Sequence, residues 1–442
     1  MNRLLRRQAL PLALATALAT AAASPATAQS DRERELEARI AELEKAVQML
    51  LAEREQAATQ PEPVRKPAPP AQPVQNTTIT PGANPGTTFA YGGFIKADFM
   101  SSRYTDGELP AGSVGRDFYI PGLIPVGGSS NNRVFDAHAK QSRFFFTTNT
   151  VLESGDRLGS RVEIDFAVPT GGDERQTNTY NPVVRQAFLT WNDWLFGQAW
   201  SVFQDVGALP ESADFIGPTE GTVFVRQAQI RYTSGPWQFA LENPETTLTP
   251  FGGGARIVTD DVQVPDVTAR YTHRGDWGYF SAAGLLRQLR IDNPGIKSSS
   301  TGYGLSLSGR FNVGERNDIR WMLTGGSGIG RYLALNFAED GILDATGSIE
   351  ELDVISGFIA YRHVWSDPKW RTNFILARME IDNPAFAPGG ANKRAESARI
   401  NLMYSPVPRL DFGVELSHAK RTLESGASGE MSRLHFMSRY NF

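Results

Sequence analysis

Met431 to Phe442 reads MSRLHFMSRYNF, and its alternation decides what kind of chain this is. Counting back from Phe442 in steps of two gives Tyr440, Ser438, Phe436, Leu434 and Ser432. The other parity gives Asn441, Arg439, Met437, His435 and Arg433. One set is largely aromatic and aliphatic while the other is mostly charged or polar, which is the period of a strand with two different surroundings. A strand in a soluble protein shows the same alternation, so the rest of the chain must say which side meets water.

The amino terminus speaks to compartment. Arg3, Arg6 and Arg7 form a basic start, Leu10 to Ala23 is apolar, and Ala26-Thr27-Ala28 is a small-residue cleavage site. That order predicts a secretory signal peptide over 1–28, with the mature chain starting near Gln29. No later stretch approaches the ~18 uninterrupted apolar residues of a membrane helix, so any membrane span is built from strands. Cysteine is absent, which removes disulfides, thiolate catalysis and sulfur-ligated metal. The formal charge of −4 gives no argument for nucleic acid. From Phe89 onward there are 28 arginines and 6 lysines against 39 acidic residues. Arginine in such excess points to a need for planar, permanently charged donors rather than for solubility alone.

The mature chain divides into three segments. Residues 29–60 hold a short helix in which Leu36, Ile40, Leu43, Val47 and Leu50 follow heptad spacing. Three heptads are marginal as a lone helix in water, so self-association is the way to bury that seam. β-Branched residues alternating with Leu favour two parallel strands. The run Arg39-Ile40-Ala41-Glu42-Leu43-Glu44 instead resembles a pattern of three-stranded coils, and a periplasmic trimer is the expectation taken forward. Residues 61–88 form a proline-rich linker, with eight prolines between Pro61 and Gly86. From Phe89 to Phe442 the texture is many short alternating runs punctuated by Gly, Asn, Asp and Pro.

Arg161-Val162-Glu163-Ile164-Asp165-Phe166, Thr268-Ala269-Arg270-Tyr271-Thr272 and Phe412-Gly413-Val414-Glu415-Leu416-Ser417 exemplify those runs. Aromatic residues recur near strand ends, among them Trp191, Trp194, Trp277, Trp370, Tyr404 and Tyr440. An apolar exterior flanked by aromatic girdles, with a polar interior, is what a membrane-spanning barrel requires. Closure is obligatory, because an open edge in lipid costs several kcal/mol for each unpaired backbone group. The fold class is therefore all-β: a transmembrane antiparallel β-barrel of about 16 strands, preceded by a short α-helical coiled coil. A barrel of that size leaves an aqueous channel. Arg274-Gly275-Asp276, Gly314 to Asp318 and Ser405 to Arg409 read as tight periplasmic turns; Asp106 to Ala137, Val168 to Pro182, Asn243 to Pro265 and Arg331 to Glu351 read as long connections. The segment Gln204 to Thr222 either folds inward and narrows the pore or caps the outside.

A free carboxyl-terminal Phe with Tyr two before it resembles the closing strand of bacterial outer-membrane barrels, with Ser438 departing from the usual apolar residue. Four further strings resemble one family. They are Tyr91 to Phe99 (YGGFIKADF), Phe118 to Val126 (FYIPGLIPV), Gly197 to Phe203 (GQAWSVF) and Gly326 to Tyr332 (GSGIGRY). Together they are similar to the DcaP-like outer-membrane porins, over essentially the whole mature chain. The resemblance implies a trimeric barrel with a periplasmic coiled-coil extension that takes up small anions, notably dicarboxylates.

Taking the apolar parity as lipid-facing places Lys96, Asp98, Glu163, Asp165, Glu242, Arg399 and Glu415 on the wet side, together with the six arginines expected to bind anions: Arg143, Arg185, Arg231, Arg270, Arg287 and Arg362. A carboxylate entering a pore loses hydration, and guanidinium supplies a two-pronged replacement. Charge-assisted bonds contribute ~1.5–3 kcal/mol each before desolvation. Two or three of them leave binding in the millimolar-to-micromolar range, about −4 to −8 kcal/mol, weak enough for exit as well as entry. Lumenal Arg and Glu can instead pair across strands and merely stiffen the wall. Enzyme chemistry is not indicated: His138, His273, His363, His418 and His435 lack ligand spacing, and no metal or cofactor is implied. The expected function is diffusion of small anionic solutes across the outer membrane by a lipid-embedded homotrimer. The alternatives are a nonselective porin and an envelope tether whose helix holds a periplasmic partner.

Overall fold

The computed structural model describes residues 38–49, 86–129, 131–167 and 180–442. The signal peptide and the linker fall outside them, as do Leu36 and Leu50 of the heptad seam. Residues 38–49 are helical, and Ile40, Leu43 and Val47 stand exposed along one side. The helix belongs to one unit of the chain and the barrel to another.

Sixteen antiparallel strands close into a barrel. In chain order they are β1 (Thr87–Tyr104), β2 (Arg133–His138 continuing as Arg143–Val151), β3 (Arg157–Asp165), β4 (Val183–Trp191), β5 (Trp194–Trp200), β6 (Arg226–Ser234), β7 (Trp237–Glu242) and β8 (Asp266–Gly275). The second half comprises β9 (Gly278–Asn293), β10 (Ile296–Val313), β11 (Asn317–Ser327), β12 (Asp353–Val364), β13 (Trp370–Asp382), β14 (Asn392–Val407), β15 (Leu410–Leu423) and β16 (Ser428–Asn441). Each strand pairs with the next, and β1 closes the ring on β16 from Phe94↔Asn441 to Tyr104↔Met431. Among the described residues no barrel strand is left with a free edge to meet lipid, as the backbone's hydrogen-bonding demand requires.

The two parities of the last strand sort as their chemistry dictates. Leu434, Phe436 and Tyr440 are 47%, 38% and 51% exposed on the outer wall, whereas Arg433 and His435 are 2% and 1% exposed inside. Aromatic pairs crowd the outer wall beside the short turns: Trp194 with Tyr232 at 4.8 Å, Trp237 with Tyr271 at 4.8 Å and Trp370 with Tyr404 at 4.2 Å. Such contacts contribute about 0.5–1.5 kcal/mol each beyond burial, and their rings suit the membrane interface. Short turns at 192–193, 235–236, 276–277, 314–316 and 408–409 lie at the end that holds the carboxyl terminus. The longer loops lie at the other, together with the short turns at 294–295 and 424–427.

The segment 201–225 folds inward rather than capping the outside. It leaves β5, crosses the lumen and is held by the far wall. The Glu415 carboxylate of β15 accepts from Ser212 Oγ (2.7 Å) and Ala213 N (3.0 Å). Arg371 of β13 donates to both oxygens of Glu211 at 2.7 and 2.6 Å, and Asn401 of β14 donates to the Glu211 carbonyl at 2.9 Å. Gly221 meets β12 where a Cβ would stand 2.5 Å from the Gly357 carbonyl, so the close approach needs a residue without a side chain. A second insertion joins two long loops through a four-stranded sheet of Thr246–Thr249, Ile257–Thr259, Gly341–Leu343 and Ile349–Glu351. Leu248, Leu343 and Ile349 of this sheet pack on Leu289 and Ile291 of β9.

Candidate functional site

Arginine is distributed around the bore by strand parity. Arg143, Arg161, Arg185, Arg231, Arg270, Arg310, Arg320, Arg362, Arg371 and Arg439 stand on inward positions of ten strands: β2, β3, β4, β6, β8, β10, β11, β12, β13 and β16. The carboxylates they meet are Glu163, Asp165, Asp318, Asp411 and, from the inward loop, Glu211, with Asp205 bonded nearby to Tyr279 Oη (3.0 Å) and Ser308 Oγ (2.8 Å). Further inward groups pair among themselves: Arg287 with Asp266 and Asp340, Arg399 with Glu415 and Asp214, and Lys96 and His435 with Asp98.

Ion pairing divides the six sequence-predicted residues. Arg185 is buried between Glu163 (3.0 Å) and Asp165 (2.6 Å), with the Trp200 and Phe215 rings 5.7 and 5.3 Å away. Arg143 shares the same two carboxylates, at 3.8 and 3.4 Å. Arg287 is sealed beneath the second inserted sheet, 2.7 Å from Asp340 and 3.4 Å from Asp266. Arg362 is partly open to the bore and sits 2.6 Å from Asp318. Arg231 and Arg270 differ: among the described residues neither has a carboxylate within ion-pairing distance. Arg231 donates to Gln229 Oε1 at 3.0 Å and to the Trp200 carbonyl; Arg270 donates to Gln238 Oε1 at 2.6 Å and to the Gln204 carbonyl. Neutral acceptors orient these two side chains, while Glu242 acts on both, and Asp205 on Arg270, from beyond ion-pairing distance.

The expectation that Arg185 and Arg287 line open water is therefore corrected. Both face inward, but the carboxylates of neighbouring strands and inserted loops surround them. Strand parity gives direction only; it is silent on what folds over a residue. Arg310 lies outside the six sequence candidates, although Ser306-Leu307-Ser308-Gly309-Arg310 alternates legibly. Its Cα partner across the ladder is Arg320, and its buried Nε has no hydrogen-bond partner. Arg371 was hidden because Phe374-Ile375-Leu376-Ala377 blurs the period of β13.

At the base of the inward loop lies one costly group. Glu220 is fully buried and neither carboxylate oxygen has a well-formed hydrogen bond. Burial pushes its carboxyl above the ordinary range, with Arg399 opposing.

Residues 20–442 match the family model described as DcaP outer membrane protein. The chain belongs to the DcaP outer membrane protein family. Among solved structures it is similar to the outer membrane channel DcaP of Acinetobacter baumannii, at 25% identity and a TM-score of 0.68, covering 81% of this chain and 98% of that one. It is also similar to OmpT of Vibrio cholerae in its trimer form, at 10% identity and TM-score 0.48, covering 81% and 100%. The anion-selective porin from Comamonas acidovorans matches at 10% identity and TM-score 0.49, covering 80% and 100%. No curated protein matches the chain. Membership of the DcaP family makes the protein a porin of the bacterial outer membrane.

Proposed function

We propose that this porin passes small anions, with carboxylates and dicarboxylates as the favoured class, by diffusion with transient binding in the lumen and without enzymatic chemistry. The observation that carries the reading is that Arg231 and Arg270 sit on the inward parity with neutral hydrogen-bond acceptors and, among the described residues, no carboxylate within ion-pairing distance. A solute carboxylate supplies the missing counter-charge and takes donors in pairs. Arg143, Arg185, Arg287 and Arg362 serve it less directly, by holding the wall carboxylates in fixed positions and keeping them from repelling anions. Charges beyond ~8 Å are largely screened at physiological ionic strength, so the acidic surplus elsewhere in the chain does not cancel the cluster. The exposed seam of Ile40, Leu43 and Val47 supports self-association through the amino-terminal helix, and the Arg39 to Glu44 run favours a trimer.

The test is single-channel recording of Arg231→Gln/Arg270→Gln in planar bilayers. The double variant loses anion preference and its block by a one-sided dicarboxylate weakens roughly tenfold or more, about 1.4 kcal/mol. Unchanged anion/cation permeability and unchanged block remove the pair from the site.

A further inference from the structure

On the outer wall, Arg103 of β1 and Arg133 of β2 are direct cross-strand partners. Like charges placed opposite each other on one face of a sheet repel. Both side chains are exposed, and among the described residues neither has an ion-pair partner; Arg103 donates only to Asn131 Oδ1 at 2.8 Å. The nearby carboxylates are otherwise engaged. Glu430 on the outer face of β16 lies 3.6 Å from Lys420, and Glu108 accepts from Asn132 at 3.0 Å. Elsewhere on this rim charges are matched within the wall, as Arg378 is by Glu380 at 2.7 Å. The Arg103–Arg133 pair is an uncompensated double positive charge.

Its height on the barrel gives it meaning. The pair lies toward the long loops, one step above the lipid-facing row of Phe135, Ser101, Leu434 and Leu416. Phe135 is 67% exposed, and the small side chains of Ser101 and Ser432 leave a furrow there that Arg103, Arg133 and His418 also line. Basic groups at the rim over an exposed apolar furrow match the two parts of one molecule: a phosphate headgroup and an acyl chain. We propose that Arg103 and Arg133 clamp a phosphate of a lipid in the outward-facing leaflet, whose chain lies against Phe135, Leu434 and Leu416. Two guanidinium forks converging on one phosphate offer paired, charge-assisted hydrogen bonds. The phosphate also relieves the repulsion between them.

Native mass spectrometry of the full mature protein in detergent, titrated with diphosphoryl lipid A, tests this directly. The expected result is bound lipid on the unaltered protein and a roughly tenfold or greater loss in Arg103→Gln/Arg133→Gln. Arg103→Lys/Arg133→Lys should fall between, and Arg378→Gln should match the unaltered protein. Millimolar inorganic phosphate should not displace the lipid, because it lacks the chain. Equal retention by the Gln double variant overturns the proposal, as does equal loss in Arg378→Gln. Displacement by inorganic phosphate would make this a free-anion site instead. A double variant that keeps its lipid but changes oligomeric mass would show that the arginines face a second copy of the chain.

Discussion

Arg185 and Arg231 are the same residue type on nearby strands, both inward, and their surroundings give them different work. Arg185 sits among buried carboxylates, and removing one member of a buried ion pair costs about 3–5 kcal/mol because its partners keep an uncompensated charge. Arg185→Ala should therefore lower the thermal unfolding temperature in detergent well beyond any effect of Arg231→Ala; equal unfolding temperatures would contradict the division drawn between them. Selectivity should respond in the opposite order. Glu220 gives a pH-dependent counterpart. Its carboxyl holds its proton more tightly in the folded chain than in the unfolded one. Its stabilising share is thus greatest below the ordinary carboxyl range and is lost as pH rises through the raised value. Glu220→Gln should gain stability over the unaltered protein at alkaline pH and little or none near pH 4, read by thermal unfolding at both. A gain confined to acid would reverse the sign and refute the account of that site.

At the scale of elements, the inward loop 201–225 is the feature on which pore size depends. It is held by polar contacts at its tip, by the Gly221–Gly357 approach, and by Phe203, Ala208 and Val223 packing on Met322, Phe358 and Ala360 of the wall. Gly221→Val puts side-chain atoms where the Gly357 carbonyl lies, so the loop should lift from β12 and single-channel conductance should rise or become noisy. Steady unchanged conductance would show that the loop does not bound the pore. This scale also explains what was legible in the residues alone. The parity of β16, with Leu434, Phe436 and Tyr440 outward and Arg433, His435 and Arg439 inward, follows from local chemistry because neighbours in a strand always alternate. So do the tight turns at 276–277 and 408–409. The direction of loop 201–225 does not, because Glu211 meets Arg371 and Ser212 meets Glu415 across great distances in sequence. The pairing of Arg185 needed the register of β3 against β4 before Glu163 and Asp165 could be placed beside it. The inward parity was readable, but which arginines stay unpaired was not.

The whole molecule combines two devices of different physics: a lipid-embedded wall whose stability rests on closure, and a short helix with an exposed apolar seam. These should be separable. Deleting residues 29–88 should leave the conductance and selectivity of each barrel intact, measured in bilayers; loss of conductance would assign the extension a part in permeation. The ring of arginines around the bore is a property of the assembled barrel, since these ten come from ten strands and no short segment holds the cluster. The most direct measurement is the reversal potential of the unaltered porin in a planar bilayer under a salt gradient. The account predicts a potential displaced toward the anion equilibrium value and shifted further by adding a dicarboxylate to one side. A potential displaced toward the cation value would contradict it.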